Sequence, residues 1–268
     1  MKIACLMMQK NEGKLLDLWI LYHSHLVGIK NLYVFDNHST DCHTLQTLKG
    51  FAEKGMNVKY GFDFRDKGSV ICKAIKELDA KTGYDFLFPL DCDEFIAIPT
   101  NKGLDFNTSK IQALLANYAK SKDVLMVRKC VHNNPFRPDY YRIDGCRKTF
   151  FTGKTCDALD LGFHGGRTVT YLQKETQIHY LHFHYRPYLQ YIEASKQKMK
   201  GRIDNFDEDT LRNYKGDGVH LAHRLLHMNT KEKYTDFFKN FDVYIPEFSE
   251  HIKKISNGKL GLSELWQQ

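Results

Sequence analysis

This sequence lacks several common sequence patterns, and each missing pattern excludes a class of protein. Seven cysteines are scattered along the chain, at positions 5, 42, 72, 92, 130, 146 and 156. This odd number, without a CxxC pair, indicates neither a disulfide framework nor a zinc ribbon. A reducing cytoplasm is therefore the expected compartment.

Membrane-spanning and nucleic-acid-binding patterns are missing as well. No apolar run approaches the roughly 20 residues that cross a bilayer, and the N-terminal MKIACLMMQKNEGK has no cleavage-site pattern. Any membrane association would therefore be peripheral. The net charge of +7 favours phosphates, nucleotides or an anionic membrane surface. The basic residues are spread out, and no helix-turn-helix or zinc-finger spacing occurs, so nucleic acid is not an expected partner.

The first hundred residues alternate apolar runs of strand length with longer periodic segments. The predicted strands are 3–8, 31–36, 57–64 and 84–91, and the predicted helices are 13–26, 40–55 and 68–83. Parallel strands need crossover connections, which are usually helices. The pattern therefore predicts an α/β fold with a doubly wound, mostly parallel sheet.

The pattern loosens after residue 100. Helices are predicted over 109–120 and 187–200, strands over 123–131 and 177–185, and a loop before residue 145. We divide the chain into a domain of residues 1–200, with halves 1–100 and 101–200, and a helical extension of residues 201–268. The aromatic segment 234–248 would either pack on this domain, which is favoured, or contact a membrane together with the basic segment 196–202.

Polar side chains follow all four strands of the first half, where ligands of such sheets bind. The clusters are 10–12, 36–41, 65–68 and 91–94. In FPLDCDEF, three carboxylates (Asp91, Asp93 and Glu94) follow an apolar run. Unpaired carboxylates this close repel one another and raise each other's pKa unless a cation lies among them.

Asp91 and Asp93 flank one residue, so on an extended chain their side chains point to one face. Such oxygen ligands suit Mn²⁺ or Mg²⁺ held together with a diphosphate. One alternative is a surface acidic turn. Another is a phosphatase with a nucleophilic aspartate, although that class has its aspartate pair after the first strand and this chain has it after the fourth.

Residues 10–41 (KNEGKLLDLWILYHSHLVGIKNLYVFDNHSTD) and FLFPLDCDEF resemble the family 2-like glycosyltransferases. The most similar branch is related to glycosyltransferase family 92 and has a KNE opening and a D.DEF centre. The resemblance covers about residues 1–100, is weaker over 147–166 and 182–198, and ends near residue 200. Asp17 stands where the family has Glu, and Cys92 where it has an aliphatic or aromatic residue.

The resemblance implies a GT-A (Rossmann-like) fold and an enzyme that moves a sugar, a hexose being expected, from a nucleotide-diphosphate donor. A UDP-sugar is the expected donor, and a hydroxyl of a glycan or glycolipid is the expected acceptor. The usual role of the family implies a reaction in surface polysaccharide or lipooligosaccharide synthesis. This reaction would take place in the cytoplasm or at the inner face of the membrane. A metal-dependent phosphatase and a non-catalytic sugar-nucleotide-binding protein remain the alternatives.

The resemblance also assigns donor-site roles. The implied donor-binding residues are Asn11, Glu12, Asp36, Ser39, Asp91 and Lys154. Asp36 would recognise the nucleobase, and Asp41 would be mainly structural. From composition alone, residues 36–41 are equally a turn with a helix N-cap, Glu12 a carboxylate favoured by a helix dipole, and Lys154 a surface lysine.

Histidines alternate in QIHYLHFHY, where His182 and His184 would share one strand face and His179 the other. A zinc site there would lack cysteine partners. The HYR segment resembles a late family element in which a histidine completes the metal shell. This implies a metal site of Asp91, Asp93 and His184, which is favoured over His182.

An inverting transferase needs a base that takes the proton of the acceptor hydroxyl. The candidates are Asp160, which is favoured, then Asp157, and His164. A retaining enzyme would not need a base in that place. As an alternative to the role of base, either aspartate simply caps a helix or forms a turn.

Overall fold

The chain forms an α/β fold around one large mixed sheet, in a computed structural model that describes residues 1–101, 103–216 and 218–266. The strands are β1 (Ile3–Gln9), β2 (Leu32–Asp36), β3 (Asn57–Tyr60), β4 (Phe86–Leu90), β5 (Glu94–Pro99), β6 (Leu104–Asp105), β7 (Val124–Asn133), β8 (Tyr140–Thr152), β9 (Ala158–Leu159), β10 (Gly166–Arg167), β11 (Gln173–Glu175), β12 (His179–His182) and β13 (Val243–Tyr244). The α-helices are α1 (Lys14–Val27), α2 (Cys42–Glu53), α3 (Lys67–Lys81), α4 (Thr108–Ala116), α5 (Tyr188–Met199), α6 (Glu208–Asn213), α7 (Val219–His227), α8 (Lys231–Phe237) and α9 (Glu247–Ile255). Short 3₁₀ helices are Ile29–Asn31, Phe64–Asp66, Phe238–Asn240 and Leu262–Glu264.

The sheet has the strand order β3-β2-β1-β4-β8-β7-β12-β5-β6, with β11 beside β7 and β13 beside β8. The strands β3, β2, β1 and β4 are all parallel. The strand β8 runs antiparallel to both β4 and β7, while β12 is parallel to β7 and antiparallel to β5. The predicted α/β class, with parallel strands and crossover helices in the first half, is confirmed.

Alternation along β1 places helices on both faces of the sheet. Its odd-numbered residues, such as Cys5, belong to the core that α1 covers with Trp19. Its even-numbered residues, such as Leu6, belong to a second core that α3 covers with Ile71. Because β1 is buried on both faces, it is apolar almost throughout and not alternating.

Several predicted boundaries differ from the structure. The strand β3 ends at Tyr60 and the helix α4 ends at Ala116, earlier than predicted. The loop predicted up to residue 145 is shorter, because β7 extends to Asn133 and β8 begins at Tyr140. One face of this part of β8 is exposed and a bulge interrupts its pairing with β7, so its sequence has charges and Gly145 instead of an apolar run. The strand predicted over 177–185 is the shorter β12, which leaves His184 beyond its end.

The C-terminal segment packs back onto the domain. From α9, Phe248 contacts the rings of Tyr22, Phe95 and Phe106. The apolar residues Tyr234, Phe238, Phe241, Ile245 and Phe248 are all buried. In the structure, these side chains of segment 234–248 are therefore packed in the protein interior. Among the described residues, no helix has both the length and the apolarity needed to cross a membrane.

Candidate functional site

The carboxyl ends of β1, β2 and β4 lie side by side, because Gln9 pairs with Asp36 and Met7 pairs with Leu90. Asp36 is buried, and its carboxylate accepts hydrogen bonds from Gln9 Nε2 (2.6 Å) and from the backbone N–H of Ser39 (3.0 Å). The carboxylate therefore has a fixed orientation at this edge.

A second set of hydrogen bonds joins the loops that follow β1 and β2. Asn11 has a φ of 53°, and its side-chain oxygen accepts the backbone N–H groups of Thr40 (2.8 Å) and Asp41 (3.0 Å). Its own N–H donates to Ser39 Oγ (3.0 Å). Asp41 caps α2 by accepting the N–H of Thr44 (2.7 Å). The structure thus places Asn11, Ser39 and Asp41 in one network.

Asp91 lies between two lysines. One carboxylate oxygen accepts from Lys67 Nζ (2.7 Å) and the other from Lys148 Nζ (2.6 Å). Burial would raise the pKa of Asp91, but Lys148 and Lys67 hold this pKa well below its usual value. Asp91 is therefore ionised, and both of its oxygens point to lysines.

Glu94 completes this charge cluster. The side chain is fully buried; one oxygen accepts the backbone N–H of Asp91 (3.0 Å), and the other lies 2.9 Å from Lys148 Nζ. Burial would lower the pKa of Lys148, but Asp91 and Glu94 raise it. Lys148 also donates to the carbonyl of Gly162 (3.0 Å), so one buried ammonium group connects β4, β5 and the loop around Gly162.

Asp93 faces histidines and not lysines. Its Oδ1 is buried without a hydrogen bond to any described residue, and His182 Nε2 lies 3.3 Å away in an ion pair. One ligand atom each of Asp93, His182 and His184 lie within 4.8 Å of one another. One carboxylate and two imidazoles fit a divalent cation, and the imidazoles suit a transition-metal ion better than Mg²⁺.

The electrostatics of these three residues agree with this arrangement. Burial would raise the pKa of Asp93, but His182 lowers it. Burial would lower the pKa of His182, whereas Asp93 raises it. Burial, followed by the nearby His182 and Arg224, holds the pKa of His184 well below its usual value, so this ring is neutral, which is the form that binds metals.

The structure brings Asp93 and His184 together as predicted, but with His182 in the group and Asp91 outside it. Arginines from later in the chain adjoin this group. Arg186 forms an ion pair with Glu12 (2.5 Å), and Arg224 of α7 lies 2.5 Å from His184 Nε2. The segment 201–268 therefore contributes a side chain to the site.

Two of the predicted acceptor-side residues lie near the charge cluster. Asp160 Oδ1 accepts the backbone N–H of His164 (2.8 Å). This loop packs on the start of α3, where a Cβ on Gly68 would lie 2.8 Å from the carbonyl oxygen of Asp160. The ring of Phe163 in the same loop lies 4.2 Å from Lys67 Nζ. Asp160 and His164 are therefore next to the lysines that hold Asp91.

Asp157 and Lys154 lie elsewhere. Asp157 pairs with Arg167 (2.6 Å) and Lys76 (3.4 Å) at the surface. Lys154 follows the end of β8, which is antiparallel to β4 and pairs Thr152 with Phe86 at the start of β4. This position is about 16 Å along the strand from Asp91, at the opposite edge of the sheet.

Sequence reasoning did not identify every residue of the site. It missed Lys148 and Arg224, and it ranked His182 behind His184. Lys67 lies in the predicted polar cluster 65–68, but no role was assigned to it. A lysine within an ordinary helix or strand has no distinguishing local pattern, and Lys148 is far from Asp91 in the sequence. Only the antiparallel position of β8 between β4 and β7 brings it there.

No protein-family model and no curated protein matches the sequence. Among solved structures, S. aureus TarS 1-349 in complex with UDP-GlcNAc is similar over 90% of this chain and 73% of that chain, with 14% identity and a TM-score of 0.44. Glucosyl-3-phosphoglycerate synthase from Mycobacterium tuberculosis is similar over 49% and 43%, with 16% identity and a TM-score of 0.27. A cytidylyltransferase from Leptospira borgpetersenii is similar over 99% and 92%, with 11% identity and a TM-score of 0.32.

Proposed function

We propose that this protein is a metal-dependent glycosyltransferase of the GT-A type. It would move a sugar from a nucleotide-diphosphate donor, with UDP as the proposed nucleotide, to a hydroxyl of a glycan or glycolipid. The observation that carries the proposal is the meeting of Asp93, His182 and His184 next to the lysines that flank Asp91. A dication with ammonium groups beside it is the environment that a diphosphate leaving group requires.

Asp93, His182 and His184 would hold the cation, for which Mn²⁺ and Mg²⁺ are the candidates. When bound, it would supply Lewis-acid neutralisation of the departing diphosphate. Lys67 and Lys148 keep Asp91 ionised and oriented, and we assign this carboxylate to the ribose side of the donor. Because both lysines are already ordered by Asp91, little side-chain entropy is lost when the donor binds.

The loops after β1 and β2 would bind the nucleotide. Asp36 is proposed to face the nucleobase, with Gln9 and Ser39 fixing its orientation. Asn11 holds the two loops together, and Glu12 positions Arg186 beside Asp93. Lys154 is left out of this proposal because it lies at the other edge of the sheet.

Asp160 is the proposed base for the acceptor hydroxyl. It is exposed on a loop beside Lys67, and the backbone of His164 holds one of its oxygens. The other oxygen would take the proton as the hydroxyl attacks the anomeric carbon. Asp157 is surrounded by Arg167 and Lys76, which makes it a structural residue in this proposal. We propose surface glycan synthesis on the cytoplasmic side of a membrane as the context of the reaction, which the resemblance implies.

The test is a thermal-shift panel of UDP-, GDP-, CMP- and ADP-sugars, each with Mn²⁺ or with EDTA. We expect stabilisation by UDP-sugars that requires metal, because a ligand bound only by the folded state raises its stability. Asp93→Asn should abolish the shift. Asp236→Asn, the same change in an exposed ion pair with Lys239, should retain it.

Other outcomes would favour the alternatives. If no nucleotide stabilises the protein in a metal-dependent way, the donor site is not where we propose it. Hydrolysis of simple phosphomonoesters that Asp91→Asn abolishes would indicate a phosphatase. Binding of a UDP-sugar without release of UDP, with any glycan or glycolipid acceptor, would indicate a non-catalytic binding protein.

A further inference from the structure

A second group of potential metal ligands lies on the face of the sheet next to the proposed donor site. Cys130 and His132 alternate on β7 and therefore point to one face. The strand β12 runs parallel to β7 and pairs His182 with His132. One ligand atom each of Cys130, His132 and His182 lie within 4.8 Å of one another.

These three side chains are well enclosed. Cys130 is fully buried, and the side chains of His132 and His182 are 14% and 13% exposed. Nδ1 of His132 is buried and makes no hydrogen bond to the described residues, and the carboxylate of Asp144 lies 4.0 Å away, beyond hydrogen-bond distance. A buried polar atom without a partner is costly to the folded state, and a bound cation would satisfy it.

The donor types differ from those around Asp93. A thiolate with two imidazoles is a soft ligand set, which suits Zn²⁺ and not the harder Mn²⁺ and Mg²⁺. Zn–S and Zn–N bonds of about 2.3 and 2.0 Å place tetrahedral ligand atoms roughly 3.5 Å apart, a spacing that the 4.8 Å limit on these three atoms admits.

We propose that Cys130, His132 and His182 form a Zn²⁺ site. As the Zn–S bond forms, the thiol proton of Cys130 is released to solvent. Water would complete a four-coordinate shell. The sequence alone suggested that the histidines of β12 lack a cysteine partner, and the pairing of β7 with β12 supplies one.

The position of His182 gives this site a regulatory consequence, which rests on the proposed function. His182 belongs both to this group and to the group with Asp93 and His184. When His182 binds Zn²⁺ together with Cys130 and His132, its ring is no longer available to the donor-site cation. Zn²⁺ should therefore oppose the Mn²⁺-dependent stabilisation by UDP-sugars, whereas the binding of Zn²⁺ itself does not depend on the proposed activity.

The test uses Co²⁺ as a spectroscopic probe, because a thiolate ligand gives a sulfur-to-cobalt charge-transfer band. The full chain with Cys42→Ser, which removes an exposed thiol, is titrated with Co²⁺ and then with Zn²⁺. We expect the band to appear with Co²⁺ and to disappear with Zn²⁺. Cys130→Ser should abolish it, and Cys146→Ser, which changes a thiol on the neighbouring β8, should retain it.

His132→Asn provides a second variant that leaves every thiol in place. It should weaken Zn²⁺ binding at least tenfold in competition with a chromophoric chelator, and far-UV circular dichroism should confirm that both variants are folded. A band that survives Cys130→Ser, or that Cys146→Ser abolishes, would overturn the assignment. Asp93→Asn should retain the band, so a failed donor site and a failed zinc site give different results.

Discussion

The positive charge of Lys148 balances two of the carboxylates of FPLDCDEF, those of Asp91 and Glu94. Its side chain is 5% exposed and forms ion pairs with both Asp91 and Glu94. Buried charges of one sign are tolerated only with a partner of the other sign, since the interior solvates them poorly. We therefore expect Lys148 to contribute to stability as well as to the arrangement of the candidate site.

We predict that Lys148→Met lowers the free energy of unfolding by about 3 to 5 kcal/mol, because the buried Glu94 would lose its ion pair and Asp91 would keep only Lys67. Urea denaturation measures this change. The matched control is Lys76→Met, which removes a half-exposed ion pair with Asp157 and should cost at most about 1 kcal/mol. Equal effects of the two substitutions would contradict the role given to Lys148.

At the residue scale, the sequence predicted the acidic side of the site but not its basic side. Asp91, Asp93 and Glu94 are adjacent in the chain, so their mutual repulsion is visible in the sequence. The lysines that balance Asp91 come from α3 and β8. Their partners depend on strand order, which local sequence does not contain.

At the scale of single elements, α2 owes its start to Asp41. The carboxylate accepts hydrogen bonds from the backbone N–H and the hydroxyl of Thr44 (2.7 and 2.6 Å). Thr44 hydrogen bonds, together with the nearby His43, lower the pKa of Asp41. The same helix start holds Asn11 through the N–H of Asp41, so the cap also orders the loop after β1.

We predict that Asp41→Ala costs about 1 to 2 kcal/mol of stability, because the first turn of α2 loses its cap. Asp41→Asn keeps an oxygen that can accept the N–H of Thr44 and should cost only a few tenths of a kcal/mol. Thermal unfolding of both variants compares them. If Asn were as destabilising as Ala, the charge and not the cap would be the important property of Asp41.

Elements with a regular period and clear end signals were predictable from the sequence. The helix α2, with Asp41 at its start and Gly55 after its end, is one of these. The strand β8 was not predicted, and its first half was predicted as a loop because it alternates charged residues with few apolar ones around Gly145. A strand whose outer face is exposed and whose pairing has a bulge gives a weak periodic pattern.

On the scale of the whole molecule, α9 closes the core beneath α1. Phe248 is fully buried and lies among Tyr22, Phe95 and Phe106, with ring centroids 4.9 to 5.7 Å away. The sequence predicted helices in this region but not where they pack. Such contacts join residues far apart in the chain, just as those between Asp93 and His182 do.

We predict that Phe248→Ala lowers the free energy of unfolding by about 3 to 5 kcal/mol, because it leaves a cavity among aromatic rings. The protein should still unfold in one transition, with coincident fluorescence and circular dichroism curves. The matched control, Tyr244→Ala, changes a half-exposed ring and should have a small effect. An early partial transition in Phe248→Ala would mean that the C-terminal helices form a separate unit.

The packing of Phe248 also has a consequence for protein synthesis. Phe95 leaves the ribosome about 150 residues before Phe248 does, and at about 5 to 20 residues per second this interval lasts roughly 8 to 30 s. During that time the nascent chain presents the aromatic face of Tyr22, Phe95 and Phe106 uncovered. Cotranslational chaperones therefore have a defined window in which to bind it, and the window closes when α9 emerges.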